Sequence, residues 1–98
     1  ARHLAERVLK EEELAPEKRV AEAFRRVMSR EPSGDEVYRL LGDLEAYRQD
    51  FKGNPQAAKQ LLAIGEKPVD PDLDAAEVAA YTLIANTILN LDEAINQN

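Results

Sequence analysis

The chain of 98 residues has no cysteine, no tryptophan, one methionine and one histidine. Without cysteine, these residues can form no disulfide, no thiolate metal site and no covalent haem attachment. Basic side chains are also short, 13 against 19 acids, and the deficit sits at one end: residues 65–98 carry 1 basic and 7 acidic side chains. A net charge of −6 with no basic face repels phosphate backbones, so nucleic acid is not an expected partner. No apolar run reaches the ~20 residues of a membrane span, and the N-terminus lacks a signal pattern. Membrane insertion is therefore not expected.

What is present is helical. Hydrophobic content of 44% and charged content of 33% are ordinary for a folded domain and argue against wholesale disorder. One domain is expected over residues 1–98. The chain starts without methionine, at what reads as mid-helix, which suggests a fragment of a larger protein.

Residues 74–91, DAAEVAAYTLIANTILNL, form the most apolar stretch and contain no glycine or proline. Alanine, leucine and isoleucine favour helix there, and Asp74 with Glu77 reads as a capping box. Val78, Tyr81, Ile84, Ala85, Ile88, Leu91 and Ile95 fill one arc of the wheel, and Ala76, Ala79, Ala80, Leu83 and Leu89 flank it. One polar line remains: Thr82, Asn86, Asn90, Glu93 and Gln97. A helix apolar nearly all round is a buried hub wrapped by others.

Four further helices precede it. Residues 2–14 carry a thin stripe of Leu4, Val8 and Leu9, and Glu11, Glu12 and Glu13 crowd the negative end of the helix dipole, so this terminus is expected to fray. Pro16 opens a second helix with a Val20, Phe24, Val27, Met28 stripe, which stops before Pro32. Ser33 and Glu36 form a capping box for a third, lined by Val37, Leu40, Leu41, Leu44, Tyr47 and Phe51 and ended at Gly53. Asn54 and Pro55 start a short fourth helix with Ala58, Leu61 and Leu62 inward, closed by Gly65. Residues 66–73 make a proline-bearing connector. The expected fold is all-α: a compact bundle of about five helices around a buried C-terminal helix, with Leu40, Leu44, Leu61, Ile84 and Ile88 nearly fully buried.

Residues 65–93, GEKPVDPDLDAAEVAAYTLIANTILNLDE, resemble the C-terminal end of the planctomycete domain DUF1553, or PSD1. The shared features are a glycine-glutamate-x-proline connector, a leucine-aspartate cap, an alanine-rich helix and a leucine-asparagine-leucine-aspartate-glutamate run. Upstream, FRRVMSREPSGDE over residues 24–36 is similar to that family's arginine-x-proline-threonine-x-glutamate helix junction. Three positions depart from its pattern: Tyr81 replaces a tryptophan, Ala94 a phenylalanine and Asn86 a common arginine. The resemblance implies the end piece of a large exported or periplasmic protein whose other domains can include cytochrome-c-like modules. It implies no activity. A helical-hairpin repeat is a looser alternative that lacks any 34-residue self-similarity.

Chemistry finds little to use. His3 and Glu6 stand one turn apart, but a di-iron bundle needs Glu-x-x-His twice with two more glutamates, and this is the only histidine. Asp70, Asp72 and Asp74 have the opening spacing of a calcium loop. Its sixth position is Ala75 rather than glycine and its twelfth is Tyr81 rather than glutamate, so capping and Pro71 explain the spacing better. Ser29, Ser33, Thr82 and Thr87 sit in no nucleophile elbow. No catalytic residue, metal or cofactor is expected. The aromatic residues, Tyr38 among them, fall mostly at core spacing.

Two functional readings follow. One is a non-catalytic structural or interaction module that binds the remainder of its parent protein or a second copy. Its contact residues are then Thr82, Asn86, Asn90 and Glu93, beside an exposed apolar patch at Leu91 and Ile95 or at Leu4 and Val8. The other is an accessory part of a parent enzyme or haem protein whose chemistry lies outside this segment.

Overall fold

Alanine sets the architecture. In the computed structural model, which describes residues 1–11, 15–63 and 73–96 (the side chains of Glu11, Ile95 and Asn96 aside), α5 spans Ala75–Asn96. Its Val78, Ala79, Ala80, Tyr81, Ile84, Ala85 and Ile88 are all buried. Small side chains on several faces let neighbouring backbones approach from more than one side, so α5 packs against all four other helices. At ~1.5 Å rise, its 22 residues run ~33 Å, close to the molecule's 36 Å long dimension. The fold is the all-α bundle of five helices, with no strand among the described residues.

The helices before it begin and end where local chemistry dictates. Helix α1 covers Arg2–Glu11 and α2 covers Pro16–Met28, with Pro16 in the first turn where no N–H is needed. Ser29 stops α2 in the left-handed conformation, φ 58°, and its N–H donates to the Arg25 carbonyl. Helix α3, Gly34–Gly53, starts from a complete capping box: Ser33 Oγ accepts from the Glu36 N–H at 3.1 Å, and Glu36 Oε1 accepts from the Ser33 N–H at 2.8 Å. Asn54 ends α3 and caps α4, Pro55–Leu62, by accepting from the Ala57 N–H at 3.2 Å.

Several expectations change. The stripe on α1 is short but not exposed: Val8 is 0% accessible, Ala5 is buried, and the helix packs on both α5 and α2. The alanine-rich surface of α5 accepts a thin stripe closely, so Leu4 and Val8 form no open patch. Arg2 Nη1 adds a 2.9 Å donation to the Leu62 carbonyl that ties α1 to the end of α4. On α4 the inward line passes through Ala58 and Leu62, leaving Leu61 only half-buried on its flank. Tyr38 is 79% exposed rather than core.

At the start of α5 the expected capping box does not close. Asp74 Oδ1 accepts weakly from the Ala76 N–H at 3.4 Å, and Glu77 turns to Arg48 of α3 instead. That pair is bidentate, Nε to Oε2 at 2.9 Å and Nη2 to Oε1 at 2.6 Å, and part-buried. A planar guanidinium forked onto a carboxylate in partial shelter outweighs one capping bond to a neighbouring amide. Glu12–Glu13, Gly65, Asp70, Asp72 and Gln97 lie outside the described residues, as does most of the 66–73 connector.

Candidate functional site

Along α5 the buried stripe Ile84, Ile88, Leu91 keeps helical register while its cover thins. Ile84 and Ile88 are fully buried, but Leu91 is 43% exposed. It borders a groove of about 270 Å³ between α3 and α5. Phe24 of α2 and Leu40 of α3, both buried, supply its floor, with Thr87 and Leu91 on the α5 side. Glu36, Arg39 and Asp43 line the α3 side at one-turn spacings.

The hydroxyl proton that Thr87 could offer the groove is already used. Thr87 Oγ1 donates to the Leu83 carbonyl at 2.9 Å. Its single proton is thereby committed, so in the 3.4 Å contact with Tyr47 Oη the tyrosine is the donor. Thr87 thus brings no free donor to the groove beside the apolar Phe24.

Charge on the rim is divided. Arg30 grips Glu36 through two bonds of 3.0 and 2.9 Å, and its guanidinium lies 4.8 Å from the Phe24 ring centre. Arg30 and the capping amide of Ser33 together hold the Glu36 carboxyl down at about 2, and the same pairing raises Arg30. Arg39 and Asp43, both exposed, have no ion pair among the described residues.

The predicted contact residues divide. Asn86, Asn90 and Glu93 form an exposed polar line. Helical geometry puts Asn90 one turn beyond Thr87, on the side away from Leu91, with Asn86 and Glu93 farther round. Thr82 does not belong to that line: it is 6% exposed, and its hydroxyl donates to the Val78 carbonyl at 2.6 Å. This back-bond to the preceding turn lets a threonine sit in the wrapped half of the helix. The side chain of Ile95 and all of Gln97 fall outside the described residues.

A second polar cluster surrounds Tyr81. The Arg19 and Arg48 guanidiniums lie 6.0 and 5.9 Å from its ring centre. Burial pushes its phenol above the ordinary range, against the pull of both cations. The hydroxyl is enclosed, with the Arg19 guanidinium close by. Among the described residues no three His, Asp or Glu side chains converge as metal ligands, and His3 is exposed.

Sequence reasoning missed Phe24, Leu40 and Arg39 as groove residues. The first two read correctly as apolar helix faces, but nothing in their spacing says that the covering helix stops short of them. No family model, curated protein or solved structure matches this chain.

Proposed function

We propose that this chain is a non-catalytic helical interaction module that docks through the α3–α5 groove onto the remainder of a larger protein or a second copy. One observation carries the reading: the Ile84–Ile88–Leu91 stripe continues past its cover, beside a groove floored by Phe24 and Leu40. An apolar side chain left in water at the mouth of a preformed pocket is the usual anchor point of a helix-in-groove contact. Asn86, Asn90 and Glu93 supply a polar margin. The resemblance of residues 65–93 to the C-terminal end of DUF1553 supports the same reading, with the module as the end piece of an exported protein.

The test is methyl-resolved NMR of the folded chain, titrated with amphipathic helical peptides of either charge and, across concentration, with itself. Saturable shifts at Leu40, Thr87 and Leu91, abolished by Leu91→Glu, are the expected outcome. If no condition moves these methyls, the groove is a packing defect and the reading fails.

A further inference from the structure

The contact reading leaves open what enters the groove. We propose that it takes an aliphatic side chain presented by a basic amphipathic helix of a partner polypeptide. This rests on the groove being a contact surface and names the chemistry of its occupant.

Size and lining come first. A volume of about 270 Å³ falls just below the ~300–1,000 Å³ of pockets for whole organic ligands, so the groove suits a side-chain anchor better. The floor of Phe24 and Leu40 is apolar, and the Thr87 hydroxyl beside it has no free proton to donate. An aliphatic side chain loses nothing there, whereas a buried polar group would go unpaired. A helix lying along α3 and α5 brings such anchors at one-turn spacing.

Charge selects the sign of the partner. Helix α5 ends without a basic residue in its last turn, and its terminal carbonyls carry the negative end of the helix dipole. Exposed Glu93 adds to that field. Across the groove, Asp43 has no ion pair among the described residues, whereas the charge of Glu36 is already met by Arg30. Lysine or arginine on the partner relieves Asp43, and the chain's net charge of −6 favours a basic partner over an acidic one. Arg39, one turn before Asp43, leaves room for a single acid that fixes direction. A second copy of this chain fits poorly: it brings another net charge of −6, and its own α5 holds no basic residue at all.

The experiment uses two synthetic amphipathic peptides of equal length and identical leucine pattern, one with lysine and one with glutamate on the polar face. Each is titrated into the wild-type chain, Asp43→Lys and Asp50→Lys, with methyl shifts and calorimetry as readouts. Asp50 is an exposed α3 acid away from the groove, so both variants change charge equally. The lysine peptide should shift Leu40, Thr87 and Leu91, and Asp43→Lys should weaken it by roughly five- to tenfold. Asp50→Lys should change its affinity less than about twofold. Equal weakening by both variants would mean diffuse attraction and would overturn the proposal. Binding of the glutamate peptide in the groove, or self-association through it, would also overturn the proposal while leaving the contact surface intact. Silence of these methyls toward every peptide would overturn both.

Discussion

The two halves of α5 share one helix but live in different surroundings. From Val78 to Ala85 nearly every side chain is buried, and even Thr82 is accommodated by a bond to its own turn. Among the described residues from Asn86 onward, exposed side chains outnumber buried ones, and only Ile88 is fully enclosed. The difference comes from the neighbours. Helices α1 and α4, tied together by Arg2 on the Leu62 carbonyl, both pack on α5, and the far end of α3 is joined to its first turn through Arg48 and Glu77. Only α2 and the start of α3 border the groove that accompanies the second half. A continuous apolar stripe therefore serves stability over part of its length and remains available for contact over the rest.

The largest expected effect separates the halves directly. Ile84→Ala and Ile88→Ala should each cost about 2–5 kcal/mol through lost transfer energy and a residual cavity, whereas Leu91→Ala should cost below about 1 kcal/mol. Chemical denaturation measures both. Similar losses at Ile84 and Leu91 would erase the distinction.

Next comes the link that closes the first half. Because Arg48 and Glu77 are each less than one-third exposed, removing either leaves its partner partly desolvated. Glu77→Gln should cost about 1–3 kcal/mol, and a double-mutant cycle with Arg48→Met should recover most of it as coupling. An uncoupled cycle would show that apolar packing alone seals that end.

The groove rim has a pH signature instead. Arg30 and the Ser33 amide depress the Glu36 carboxyl to about 2, below its unfolded value, so the folded state favours the ionised form. Its contribution is fully present above about pH 5 and disappears as pH falls toward 2. Wild type should be more stable than Glu36→Gln at neutral pH, and the gap should close on acidification and shrink in salt. A gap unchanged at low pH would remove the ion pair from the account.

The smallest effect is a gain. Asn90→Ala on the exposed line should raise stability by up to about 0.5 kcal/mol, since alanine is the better helix former and no packing is lost. A loss above about 1 kcal/mol would mean that Asn90 has a structural partner.

Much of this fold is legible in the sequence, and the reasons are local. Pro16, the Ser33–Glu36 box and the Asn54–Pro55 pair place helix starts correctly because each acts within one turn. The hub is legible because so broad an apolar wheel admits few alternatives. What escapes depends on distance. Glu77 abandons its cap for Arg48, 29 residues away, which no local pattern encodes. Val8 is buried because its partner surface is alanine-rich, a property of α5 rather than of α1. Tyr38 shares the apolar character of Leu40 and Leu41 but points to solvent, since periodicity ranks faces without saying how wide a neighbour is. Within the candidate site, Leu91 was legible as the far end of the hub. The groove itself, made by three helices, was not.

Native-state hydrogen exchange along α5 tests the division of the helix most directly. Amides from Val78 to Ile88 should exchange only through global unfolding, while those beyond Asn90 exchange through smaller openings and slow down when the lysine peptide is bound. Uniform protection along the whole helix, unchanged by the peptide, would contradict it.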